Sequence, residues 1–289
     1  MLIIGTTKLL GVIGDPVEHS LSPLMHNAAI AQLALDYVYL PLPVKAADLA
    51  RAIAGFEAIG LVGFSITIPH KQAILPFLSD VSDVAKGVGA VNTVWRTDNG
   101  WSGTNTDVEG FVAPLKAYDW DWRQITPLIL GNGGAARAVV VGCAELGCRE
   151  IRVVGRDRQK LQQFQQRWAN SSLKAALSIH HSCELPHLLP QAKLVVNATP
   201  VGMSPHVEAS PLDAALIGKL PSEAIAYDLI YTPNPTQFLR QAQEQGAIAI
   251  DGLEMLVQQG VAAFKIWTGQ NPPVEVMRHS LKQHLGLLP

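Results

Sequence analysis

The stretch PLILGNGGAARAVVVGCAELG, residues 127–147, sets a short apolar run ahead of a glycine cluster and then apolar residues at helical spacing. That order reads as strand, tight turn and helix. Gly131, Gly133 and Gly134 offer the positive φ angles and missing side chains that let a backbone turn sharply and approach a ligand closely. Asn132 and Ala135 lie within the same turn. The helix behind it points free N–H groups and the positive end of its dipole at the space above the glycines, where a pyrophosphate fits. The unit therefore reads as dinucleotide-binding.

The next strand, 150–154, runs into Gly155, Arg156 and Asp157, with Lys160 soon after. An acid closing this strand accepts hydrogen bonds from the ribose of NAD. Arg156 and Lys160 instead offer charge-assisted bonds to a 2'-phosphate, which points to NADP.

Around this unit, 289 residues give room for two domains, and 48% hydrophobic with 16% charged residues is a globular composition. The net charge of −2 suggests neither a nucleic-acid nor an acidic-membrane partner, which leaves a small-molecule substrate. The N-terminal apolar residues meet Gly14-Asp15-Pro16 too early for a signal peptide and no run reaches spanning length, so a cytoplasmic location is expected. Three scattered cysteines make no disulfide framework. His180, His181, Cys183 and His187 match no zinc spacing, and no metal is expected.

Upstream, strand and helix alternate to Asp107, a first α/β domain. After a strand at 9–13, Ser22-Pro23 reads as a helix start with Ser22 as N-cap, placing the hydroxyls of Ser20 and Ser22 beside free N–H groups, a site for a carboxylate. Simple capping is the other reading of these serines, and local pattern leaves both open. A strand at 61–67 runs into Pro69-His70-Lys71, where Lys71 in a helix first turn opposes the dipole; that is a local conflict of the kind enriched at functional sites, though a lysine reaching solvent has the same pattern. Residues 88–97 and 101–103 read as a hairpin that carries Asn92. Thr106 with Glu109 forms a capping box, so Asp107 is not needed as a cap. Strands at 193–196 and 223–229 end in the loops 197–203 and 228–235, expected above the cofactor site. A long helix opens at Gly252, apolar on two sides, with Gln259 set among Met255 and Ile266, where a buried amide needs a protein or substrate partner.

Taken together, HSLSP (19–23), SITIPHK (65–71), GAVNT (89–93), GTNTD (103–107), GNGGAARA (131–138), NATPVGM (197–203) and DGLEMLVQQ (251–259) resemble the shikimate dehydrogenase family along the whole chain. The resemblance implies NADP-dependent interconversion of 3-dehydroshikimate and shikimate in aromatic amino-acid and chorismate biosynthesis, by a monomer or homodimer. It implies a two-domain α/β fold: an N-terminal substrate domain, 1–109, joined by C-terminal helices, 252–289, that pack back on it, and a Rossmann-like NADP-binding domain, 110–251. Ser20 and Ser22 would hold the substrate carboxylate, while Thr67, Asn92, Tyr231 and Gln259 would contact ring hydroxyls. Lys71 and Asp107 would be the catalytic pair. The glycine turn, Arg156 and Lys160 match NADP positions; Leu229, Gly252 and Met255 match nicotinamide contacts, and Asp83 matches a further cofactor position. Ser65, Asn132 and Val108 depart from the residues the family usually has. GRD at 155–157 replaces the usual NRT, so Gly155 and Asp157 remove two polar contacts near the 2'-phosphate and weaken the expected preference for NADP. Two other readings stand beside this one: an NAD-using quinate/shikimate dehydrogenase, and a non-catalytic sensor of NADP and a metabolite, against which the presence of both Lys71 and Asp107 argues.

Overall fold

The structure, a computed structural model, describes residues 2–169, 171 and 173–288. The chain is α/β and divides into two compact units, Met1–Gly110 with Leu256–Pro289, and Phe111–Met255.

In the first unit, β1 (Lys8–Gly14), β2 (Tyr37–Pro43), β3 (Gly63–Ile66), β4 (Asp80–Val81), β5 (Thr93–Thr97) and β6 (Gly100–Thr104) form one sheet in the order β2-β1-β3-β5-β6-β4. β1 runs parallel to β2 and β3, whereas β5 is antiparallel to β3 and β6. The expected hairpin forms with Thr97 opposite Gly100. The strand expected from residue 88 begins only at Thr93, however: Val88 ends a short helix, Asp83–Val88, capped by the Ser82 side chain and stopped by Gly89 at φ 63°. A left-handed residue after a helix favours glycine, and Gly89 supplies it. Ile13, Phe64, Ile66, Ile74, Val91 and Val94 are among the residues that fill one core of this unit. Full burial of such a side chain stabilises by roughly 1.5–3 kcal/mol, so this face contributes strongly to holding the strands.

On the unit's other side His26 stacks on Tyr39 with centroids 4.4 Å apart and packs near Phe264 and Trp267. The last two belong to the helix Gly252–Thr268. Trp267 Nε1 donates to Val94 O at 2.9 Å, and the Cβ that Gly63 lacks would overlap the Trp267 ring. The helix Val274–His284 buries Met277 and Leu281 completely. Along the Gly252–Thr268 helix Leu253, Val257, Gln259, Ala263 and Phe264 are buried, but Ile266 is exposed, so the second covered side is narrower than its apolar pattern suggests.

The second unit has an all-parallel sheet of β7 (Leu128–Leu130), β8 (Glu150–Gly155), β9 (Ala176–His181), β10 (Leu194–Asn197), β11 (Ile225–Asp228) and β12 (Ile248–Ile250) in the order β12-β11-β10-β7-β8-β9. This is the doubly wound order of dinucleotide-binding folds. Its strand order reverses between β7 and β10, where ligands of such sheets bind beyond the carboxyl ends. β9, which no sequence signal marks and which ends in His180 and His181, is an edge strand, only half-buried and without an apolar run.

Candidate active site and cofactor site

Three chain segments of the first unit are stitched at one end of its sheet by main-chain bonds. Ile66 N donates to Asn92 O at 2.8 Å, Val91 N to Lys71 O at 2.8 Å, and Asn92 N to Thr104 O at 3.1 Å. These bonds bring Lys71 and Asp107 together, with Nζ 2.5 Å from Oδ2. The lysine side chain is 31% exposed and the aspartate 16%, so the pair is partly shielded yet open to a small molecule. Lys71 belongs to a single turn, His70–Ala73. Both ends of so short a helix lie within reach of it, and the expected conflict with the dipole has little force; the ion pair with Asp107 is what holds the ammonium.

Asn92 is the hub. Its Nδ2 donates to Asp107 Oδ1 at 2.9 Å and Thr106 Oγ1 at 3.0 Å, and its Oδ1 accepts from Thr106 N at 2.8 Å and Thr93 Oγ1 at 3.1 Å. Gln259 Oε1 lies 3.5 Å from the same Nδ2, while Gln259 Nε2 donates to Leu256 O at 2.7 Å. Two amide hydrogens do not serve three acceptors well, so the long contact is the weak one and the Gln259 carbonyl stays available to a further donor. The Thr106 hydroxyl serves Asn92 rather than a capping box. Asn105 takes the helix start, its Oδ1 accepting from Asp107 N at 3.1 Å. Thr106 and Asn105 were hidden in GTNTD by the competing capping pattern.

The loop after β1 joins the loop after β3 through Asp15 N to Ile68 O at 3.0 Å and Thr67 N to Ile13 O at 2.9 Å. The helix beyond it spans Ser22–Gln32 with Leu21 in the capping position and no side-chain cap, so Ser22 is its first residue and not its N-cap. The Ser20 hydroxyl is the group near the free backbone, 3.4 Å from Ser22 N. Burial raises the Tyr39 phenol above its ordinary range, partly offset by Ser65 and Ser22 beside it. His70 is fully buried with Nε2 2.6 Å from Val44 O, a structural residue. Asp83 lies in this first unit, its carboxylate wholly exposed and 3.4 Å from Lys86 Nζ.

In the second unit only Gly131 of the glycine turn has a positive φ, 105°; a Cβ there would come within 2.9 Å of Thr199 Cγ2. Gly133 has φ −87° and Gly134 begins the helix Gly134–Leu146, which has no side-chain cap. Both glycines face open space, so their small size leaves the uncapped N–H groups approachable. These residues fit a pyrophosphate. Asn132 Oδ1 lies 3.5 Å from where a Gly155 Cβ would stand. Arg156 and Lys160 are exposed at the end of β8. Asp157 Oδ1 accepts from Gln159 N at 2.9 Å and Lys160 N at 3.0 Å, capping the helix Arg158–Gln166. One oxygen of its carboxylate is thus committed to the backbone, a role that GRD conceals. His181 Nε2 lies 3.0 Å from Arg156 O, and His180 Nδ1 3.0 Å from Glu184 Oε2.

Leu229 and Tyr231 follow β11, and burial raises the Tyr231 phenol. Gly252 is pressed against Leu229 and Ile230, since a Cβ would overlap the Leu229 carbonyl. Asp251 Oδ1 caps the following helix through Leu253 N at 2.9 Å, and Met255 lies half-buried one turn on. No helix among the described residues is long and apolar enough to cross a membrane.

Residues 12–94 match the model of the shikimate dehydrogenase substrate binding domain, and 252–282 that of the shikimate 5'-dehydrogenase C-terminal domain. A relative from Gloeothece citriformis named shikimate dehydrogenase (NADP(+)) is 62% identical over 286 residues, 99% of each chain. Among solved structures, the shikimate 5-dehydrogenase of Thermus thermophilus in complex with NADP(H) and shikimate is similar at a TM-score of 0.84 and 35% identity, covering 96% of this chain and 99% of its own. The quinate dehydrogenase of Corynebacterium glutamicum in complex with NAD has a TM-score of 0.87 at 30% identity, covering 96% and 99%. With relatives this similar over nearly its full length, the chain belongs to the shikimate dehydrogenase family.

Proposed function

We propose that this protein is an NADP-dependent shikimate dehydrogenase, reversibly reducing 3-dehydroshikimate to shikimate. The observation that carries the reading is the Lys71–Asp107 pair, locked by Asn92 at one end of the first sheet. Reduction of a ketone leaves an alkoxide that must gain a proton. Lys71 Nζ is the donor and Asp107 Oδ2 holds that ammonium in place; in the reverse direction Lys71 takes the proton back. NADP supplies the hydride-transfer chemistry. Ser20 and Ser22 bind the substrate carboxylate, and Thr67, Asn92, Tyr231 and Gln259 its ring hydroxyls. Gly131, Asn132, Gly133, Gly134, Ala135, Gly155, Arg156, Asp157 and Lys160 form the adenosine-phosphate side of the cofactor site, with Leu229, Gly252 and Met255 toward the nicotinamide and Asp83 a further candidate. The first unit is then the substrate unit and the second the cofactor unit, in a cytoplasmic monomer or homodimer.

The purified protein given NADP or NAD with shikimate, quinate or neither, and followed by absorbance of reduced nicotinamide, tests this. Turnover fastest with NADP and shikimate is expected. Faster turnover with NAD and quinate would make it a quinate dehydrogenase, and binding without turnover a sensor.

A further inference from the structure

At the carboxyl ends of β10 and β11, Asn197 and Asp228 stand opposite each other in register, both fully buried. Asp228 Oδ1 accepts from Asn197 Nδ2 at 3.0 Å and from Ile230 N at 3.1 Å; Oδ2 accepts from the Thr236 hydroxyl at 2.7 Å. Asn197 extends the network into its own loop, donating to Val201 O at 3.2 Å and accepting from the Thr199 hydroxyl at 2.6 Å. Thr236 Oγ1 also receives Leu239 N at 3.3 Å, capping the helix Gln237–Glu244. One buried carboxylate therefore ties the 197–203 loop, the 229–236 loop and a helix start.

We propose that Asp228, in its ionised form, is a positioning residue for the reaction: it fixes the two loops so that Leu229 and Tyr231 are presented to nicotinamide and substrate. This rests on the dehydrogenase reading above. The oxygens divide the work unequally. Oδ1 has two N–H donors and Oδ2 a single hydroxyl, so a proton arriving at the carboxylate goes to Oδ2. There the new O–H faces the Thr236 hydroxyl that had been donating to it, and the bond that ends the 229–236 loop must reverse its direction or weaken. Burial raises the Asp228 carboxyl to about 6, opposed by its bonds from Thr236, Ile230 and Asn197 and assisted by the nearby charge of Asp251. Protonation of the pin thus falls in a range where the enzyme can be assayed.

Three variants test it in the full-length protein. Asp228→Asn keeps the shape but has one acceptor oxygen; kcat should fall about tenfold and lack the acid limb expected of the wild type near pH 6. Thr236→Val removes a donor that favours the carboxylate, so the limb should move to higher pH, and Thr236→Ser should restore it. Loss of the helix cap alone would lower stability without moving the limb. Hydrogen exchange at pH 7.5 should be faster in 198–203 and 229–236 of Asp228→Asn than of wild type. An acid limb unmoved in both Asp228→Asn and Thr236→Val, or unchanged exchange of these loops, would overturn the proposal. If the wild type does not oxidise shikimate with NADP, the dehydrogenase reading fails, and the exchange comparison still decides whether Asp228 pins the loops.

Discussion

Asp107 has both carboxylate oxygens engaged, Oδ2 by Lys71 and Oδ1 by Asn92, and this division separates the effects of neighbouring substitutions. Lys71→Ala should lower kcat by roughly 10²–10⁴ with a smaller change in KM, since it removes the proton donor and leaves the Asn92 frame intact. Steady-state assays check this, and an undiminished kcat would remove Lys71 from the mechanism. Arg156→Ala should cost about 1.5–3 kcal/mol of NADP affinity, the worth of a bond to a charged group, and leave NAD largely unaffected. The Asp157 cap sharpens the companion experiment. Threonine also caps helices, so Asp157→Thr should keep the helix start while removing a negative charge beside the 2'-phosphate site; NADP should bind more tightly and NAD about equally. Equal losses of both cofactors in Arg156→Ala, read as kcat/KM at fixed salt, would refute the phosphate role. At this scale the motifs made Lys71, Asp107 and Asn92 legible. Ser22 and Thr106 were misplaced because serine or threonine before a helix has several hydrogen-bonding solutions of similar energy, and only tertiary partners such as Asn92 choose among them.

Helix and strand positions were legible where apolar periodicity and glycine agree, as in β7 and the helix Gly134–Leu146. They were not where the deciding partner is remote. The helix Asp83–Val88 ends in Gly89-Ala90-Val91, whose apolar character merges with β5 and hides the stop. β9 is an edge strand whose pairing with β8 compensates for a polar sequence. A packing contact gives a test at the same scale. At Gly63 a methyl group would meet both the Trp267 ring and the Val94 carbonyl to which that ring donates. Gly63→Ala should therefore destabilise the protein by roughly 1–3 kcal/mol, the usual cost of overpacking, with a red-shifted, more accessible Trp267 emission. A denaturant midpoint unchanged from wild type would show that the strand and the helix separate freely.

At the scale of the whole molecule, the buried His26 is a group that acid turns against the fold, while Asp228, raised to about 6, acts in the opposite sense. Desolvation lowers its pKa from 6.5 to about 3, and neither ring nitrogen has a hydrogen-bond partner among the described residues. A folded-state pKa below the unfolded one gives stability that is complete above pH 6.5 and drains away as pH falls toward about 3. Between pH 7 and about 4.5 the His26 contribution alone amounts to about 3 kcal/mol. His26→Phe keeps the stack on Tyr39 and carries no proton, so urea midpoints should fall less on acidification than in wild type; equal falls would clear His26 of the effect. The two-unit architecture was legible in the order of the motifs, whereas this aromatic cluster was not, because it is assembled from residues more than two hundred positions apart. That separation also orders the birth of the protein. The second unit is one continuous segment, Phe111–Met255, and can close as soon as it leaves the ribosome. The first is not: its strands precede that segment and its last helices, with Phe264, Trp267 and Met277, follow it. At about 5–20 residues per second the intervening chain takes roughly 7–30 s to synthesise, and for that time the apolar underside of β1, β2 and β3, a natural customer for a chaperone, is covered only by the helix Ser22–Gln32.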